Sequence, residues 1–89
     1  MTTLNLAYYE KKDWAYFLSV ADDRETLEDE WEDWLKNFLK FKIRLVADGY
    51  VVKDITVNIR ELMEYCAKNN LKNDGKTRAQ FVAQKQDFV

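Results

Sequence analysis

The stretch from Glu25 to Gly49, "ETLEDEWEDWLKNFLKFKIRLVADG", constrains this chain more than any other part of it. Leu27, Trp31, Trp34, Phe38, Phe41 and Leu45 recur at intervals of four and three. That spacing lines side chains along one face of an α-helix and is incompatible with the period of two that a strand requires. A helix over about residues 25–47 is therefore predicted. Leu35, Leu39, Ile43 and Val46 widen the apolar stripe in its second half, leaving a narrow polar face at Asp33, Lys36, Lys40 and Arg44. Acids crowd the start and bases the end, as the helix dipole favours. Glu32 and Lys36 form an i, i+4 pair in the better orientation, and Gly49 after Asp48 is a stop signal. A helix this apolar around its circumference has to be covered by the rest of the molecule or by a partner.

The rest of the molecule is small. Eighty-nine residues make one domain, 1–89, and a chain of this size buries only about 60–65 % of its unfolded surface. Three Trp, five Tyr and five Phe provide a dense apolar load, because each buried aromatic removes about 150–250 Å² from water. Pro is absent and Gly occurs twice, so no linker divides the chain.

"TTLNLAYYEK" alternates loosely and reads as a short strand, and "KKDWAYFLSVA" as a helix with Asp13 as N-cap and Trp14, Phe17 and Leu18 on one stripe. "YVVKDITVN" is β-branched and reads as a strand over about 50–57. A lone strand leaves its backbone unsatisfied, so it pairs with residues 3–9 or with a second subunit. Asn58 and Glu61 carry a capping signal for a helix with Ile59, Leu62, Met63 and Cys66 on its inner face. Leu71 is expected to fold back onto the core. After the loop "KNDGK", Asp74 or Thr77 caps a last helix with Ala79, Val82 and Ala83 inward and Phe81 beside them; "KQDFV" reads as a fraying end. The expected fold is α+β and helix-dominated, with three to four helices and one short strand.

The composition argues against catalysis. Without any His there is no imidazole base or ligand, and the single Cys has no His to activate it. Cys66 sits on an apolar helix face, where it acts as a small hydrophobe. Two isolated Gly make no phosphate loop. "DDRETLEDEWED" lacks the spacing of a calcium loop. No enzyme activity, cofactor or metal is expected.

Net charge is −2 but unevenly spread: residues 1–39 carry −6, 40–65 carry +1 and 66–89 carry +3. One Cys forms no intramolecular disulfide, no basic and apolar leader opens the chain, and no stretch reaches about 18 apolar residues. A cytoplasmic protein without membrane contact is the expectation.

Two resemblances add to this. "ELMEYCAKNNLKNDGKTRAQFVAQ", through Glu61, Leu62, Glu64, Cys66, Leu71, Gly75, Lys76 and Val82, resembles the SAP motif, a DNA-binding helix-loop-helix. The resemblance implies phosphate contacts from Lys72, Lys76 and Arg78, with backbone N–H groups near Gly75. The sequence departs from that pattern by one extra residue after Gly75, by the lack of a second-helix basic row beyond Arg78 and Lys85, and by its acidic first half. More broadly, the order "DWAYFL", "DDRETLEDEWEDWL" and "DGYVVKDITVNIRELMEYCAKNNLKNDGKTRAQFVA" looks like a group of small bacterial single-domain proteins without assigned activity. That likeness implies a compact domain and no mechanism.

The sequence thus points to a small non-enzymatic accessory or interaction protein. A protein partner or self-association is expected through the aromatic helix, with Trp31, Trp34, Phe38 and Phe41 as interface residues, because aromatic residues are enriched at interface centres. The alternative is weak nucleic-acid binding by the 59–86 helix-loop-helix, using Lys72, Lys76, Arg78 and Lys85.

Overall fold

The computed structural model describes residues 2–85. The segment 86–89, within the end read above as fraying, lies outside the described residues. The chain runs β1 (Thr3–Tyr8), α1 (Trp14–Val20), α2 (Trp31–Ala47), β2 (Val51–Thr56), α3 (Ile59–Lys68) and α4 (Gly75–Ala83), with 3₁₀ turns at Lys11–Asp13 and Arg24–Thr26. Among the described residues this is a helix-dominated α+β fold with four α-helices and a two-stranded sheet.

The strand expected at about 50–57 pairs within the chain, as one of the two readings allowed. β1 and β2 run parallel, in register from Thr3 opposite Val51 to Tyr8 opposite Thr56. Parallel neighbours need a long crossover, and α1 and α2 supply it. Alternation along β1 sends Tyr8 to one face of the sheet and Asn5 and Ala7 to the other. On the first face Tyr8 meets the rings of Trp34 and Phe38 at 5.5 and 5.7 Å, so α2 covers it. There Lys42 of α2 also pairs with Asp54 of β2 at 2.8 Å. On the second face α4 lies against β1, where the Asn5 side-chain amide donates to the carbonyls of Val82 (2.9 Å) and Lys85 (2.8 Å).

The core joins Tyr9, Trp14, Phe17, Val57, Ile59, Leu62, Cys66, Phe81 and Val82, with half-buried Trp31, Trp34 and Met63 packed on it. Burial pushes the Tyr9 hydroxyl up to about 12, partly offset by Arg78.

Local signals account for three of the helix ends. Asn58 caps α3 by accepting from the Glu61 N–H at 3.0 Å, and Asp74, not Thr77, caps α4 by accepting from the Thr77 N–H at 3.0 Å. Gly49 (φ +96°) ends α2: its N–H donates to Val46 and the Tyr50 N–H to Leu45, the two bonds of a Schellman motif.

Four expectations are corrected. α2 starts at Trp31 rather than near 25, because other bonds hold the preceding backbone: the Trp14 indole donates to the Asp29 carbonyl (3.2 Å) from an earlier helix, and Arg24 donates locally to that of Leu27 (3.1 Å). Only Glu32 and Asp33 therefore sit in its first turn. Asp13 makes no side-chain cap. Leu71 stays 39 % exposed, while its N–H donates to the Cys66 carbonyl at 2.8 Å. In α4 the buried residues are Thr77, Arg78, Phe81 and Val82, with Ala79 and Ala83 exposed. An arginine drawn inward has turned that face.

Candidate functional site

The partner that draws Arg78 inward is Asp23, 55 positions upstream. Arg78 Nη1 and Nη2 donate to Asp23 Oδ1 (2.9 Å) and Oδ2 (2.7 Å), a bidentate fork. Nη1 also donates to the carbonyl and the side-chain oxygen of Asn73, both at 3.0 Å. The guanidinium lies over the Phe17 ring, 5.2 Å from its centre. Asn73 is itself fully buried: its N–H donates to Asp22 Oδ2 at 2.7 Å and its carbonyl accepts from the Asp22 N–H at 2.9 Å. Every buried side-chain polar atom among the described residues has a partner. The loop between α3 and α4 is thus fastened to the segment after α1.

This geometry changes the helix-loop-helix reading. Arg78 is 6 % exposed and its donors are committed, so it does not face a phosphate. Lys85 pairs with Glu61 at 3.1 Å and lies over Phe81. Lys72 and Lys76 are the exposed, unpaired bases left from that set among the described residues.

Hydrogen bonds from Arg78 hold the Asp23 carboxyl below its ordinary value against the opposing effect of burial. A depressed acid contributes stability that is present above its unfolded pKa of about 3.9 and is lost as pH falls through its folded value. Tyr9 has the opposite sense. Its protonated form is favoured on folding, so its contribution is whole below about pH 10 and declines as pH rises toward about 12. A plateau of unfolding free energy between these limits, falling on both sides, is expected in urea titrations. Asp23→Asn should flatten the acid limb, and an unchanged acid limb in that variant would contradict this assignment.

The aromatic stripe divides. Trp31 donates its indole N–H to the Tyr9 carbonyl at 2.8 Å. Trp34 contacts the rings of Tyr8, Tyr9, Trp14, Trp31 and Phe38. Phe38 is buried. Three of the four residues expected at an interface are therefore engaged by the core, and only Phe41, 50 % exposed, lies open.

The open apolar surface lies mainly one step round the helix. Leu39 is 45 %, Ile43 69 % and Val46 55 % exposed, and their i, i+4, i+7 spacing makes one continuous ridge. Tyr50 and Val51 continue the exposed apolar set beyond the end of the helix. Lys36, Lys40 and Arg44 stand exposed beside the ridge and form no ion pair among the described residues. These ridge residues were visible in the sequence as the widening of the stripe; what could not be read there is which flank the sheet would cover.

The clefts offer less. One of about 450 Å³ opens at the carboxyl ends of both strands, between Glu10, Lys12, Tyr16 and Arg60. Its charges are of both signs, and Glu10 and Lys12 face one another at 3.8 Å. Among the described residues no group of three or more acids, Cys or His is placed to hold a metal ion. Cys66 is buried, and burial pushes its thiol up, away from the range of a reactive thiolate. No described helix is long and apolar enough to cross a membrane. No family model, curated protein or solved structure matches this chain.

Proposed function

We propose that this protein works without catalysis, as a small cytoplasmic accessory domain that docks another protein surface on the ridge Leu39–Ile43–Val46 of α2. The observation that carries the reading is the exposure of three consecutive ridge residues on a helix whose opposite flank is core. A single exposed Leu means little, since folded surfaces are largely apolar. A continuous apolar ridge bordered by charge is the anatomy of a docking surface. The helix-in-groove mode reads such residues as anchors. The buried thiol and the absence of His fit a role in which no bond is made or broken.

The test is site-specific photo-crosslinking in cells that carry the protein. A photoreactive residue at Ile43 is expected to give discrete crosslinked species that disappear when Leu39→Lys is added. The same residue at Glu64, exposed on α3, is the reference. Equal patterns from the two positions would end this reading of the ridge.

A further inference from the structure

We infer that the protein docked on this ridge presents an acidic amphipathic helix, with its apolar stripe on Leu39, Ile43 and Val46 and its carboxylates along Lys36, Lys40 and Arg44. The inference rests on the reading of the ridge as a docking surface and adds the chemistry of the partner.

The argument is the charge that α2 itself leaves unanswered. At 3.6 residues per turn, Lys36, Lys40 and Arg44 follow one line along the outer side of the ridge. All three are exposed, and none has an ion-pair partner among the described residues. The other flank is closed: Lys42 lies on the sheet side and is held by Asp54 at 2.8 Å. The acids of α2 are confined to its first turn, where Glu32 is held by Lys11. From Trp34 to Ala47 the helix carries four bases and no acid. The surface over residues 36–46 is therefore apolar along one line and positive along the next. Its complement is apolar beside negative.

Two lines side by side require a partner with two adjacent rows. A helix has them, because residues at i, i+4 and i+8 form one row and those at i+3 and i+7 its neighbour. An extended strand turns alternate residues to opposite faces and offers a single row on each. Residues 36–46 cover about 15 Å at 1.5 Å per residue, so about three turns of partner helix match the surface. A flat anionic membrane fits less well. Laid along α2 it would also meet exposed Glu32 and Asp33, which stand at the start of the two lines. A nucleic-acid backbone would answer the bases and leave the ridge in water. A second copy does not carry the complement either. Among the described residues, α2 is the only helix with more than one exposed large apolar side chain, and pairing α2 with α2 would bring basic rows into one interface.

The experiment is fluorescence anisotropy of two labelled helical peptides of about 20 residues, titrated with the full chain to about 1 mM at about 50 and about 500 mM salt. Both carry one Leu stripe; one has Glu along the flank of that stripe and the other has Lys at the same places. The acidic peptide is expected to bind at least about tenfold more tightly than the basic one, a ratio that shrinks at high salt. Lys36→Glu, Lys40→Glu and Arg44→Glu together are expected to reverse that preference. Lys72→Glu, at an exposed base outside α2, should leave it within about twofold. Ile43→Ser should weaken both peptides. Circular dichroism checks that these surface variants fold as the parent does. No binding of the acidic peptide, equal binding of the two, or a preference that the triple reversal leaves unchanged would each overturn the inference. Co-sedimentation with phosphatidylglycerol vesicles, but not with phosphatidylcholine vesicles, would overturn it too if the acidic peptide is not preferred, and would give this face to a membrane. If the peptides fail while crosslinks from Ile43 persist, the docking surface stands and its occupant has other chemistry. If both fail, the reading of the ridge falls with it.

Discussion

Arg78→Ala is expected to lower the stability of the domain by about 3–5 kcal/mol, out of a total of about 5–10 kcal/mol for a domain of this size. Arg78 is buried and makes four hydrogen bonds to Asp23 and Asn73. Truncation leaves the Asp23 carboxylate, itself mostly buried, and the oxygens of buried Asn73 without their donor. The loss is that of an uncompensated charge and of unsatisfied acceptors, added to the loss of a guanidinium packed on Phe17. Arg78→Lys keeps the charge but not the planar fork, so it should recover only part. Urea unfolding followed by tryptophan fluorescence measures both. A loss under about 1 kcal/mol for Arg78→Ala would show that the guanidinium is solvated and replaceable. It would also reopen Arg78 as a surface base.

Phe17→Ala is expected to cost as much, about 3–5 kcal/mol, for a different reason. Phe17 is fully buried and its ring stacks on Tyr9, with centroids 4.2 Å apart. On its other contacts it meets Trp14 and the Arg78 guanidinium. Removing it opens a cavity where β1, α1 and α4 meet. Phe17 and Arg78 touch, so their effects should not add: the double variant should cost less than the sum of the two single losses, the shortfall reporting their mutual interaction. Strict additivity in a double-mutant cycle would contradict the packing of the guanidinium on that ring.

Much of the fold was legible because it rests on local signals. The spacing from Trp31 to Leu45 identifies α2 and its core face, Gly49 ends it, and Asn58 and Asp74 open α3 and α4. What was not legible depends on long-range bonds. The backbone of residues 27–30 offers helical residues, yet the Trp14 indole of α1 claims the Asp29 carbonyl, beside a local bond from Arg24 to Leu27, so α2 begins at Trp31. Arg78 lies in a sequence window that reads as a basic, exposed helix start; only the fold brings Asp23 to it and turns that helix face inward. Parallel pairing of β1 and β2 carries no sequence mark of its own. The candidate site was half legible for the same kind of reason. Periodicity gives the width of the apolar stripe on α2, and Trp31, Trp34 and Phe38 were its most conspicuous members. Which part of a wide stripe stays open depends on the area of what covers it, and a sheet of two strands covers only one flank.

The central claim is that α2 serves two ends: Trp34 and Phe38 hold the core together, while Leu39 and Ile43 are free to meet another surface. Urea unfolding of the protein carrying both Leu39→Lys and Ile43→Lys, beside Phe38→Ala, tests it most directly. Substitutions at open helix positions leave stability within about 0.5 kcal/mol each, and Lys is no worse a helix former than Leu or Ile. Phe38→Ala removes a buried ring and should cost about 3 kcal/mol or more. The account predicts a nearly unchanged midpoint for the lysine variant, and a large loss for Phe38→Ala. A lysine variant that unfolds as readily as Phe38→Ala would show that the ridge belongs to the core and has no free face to offer.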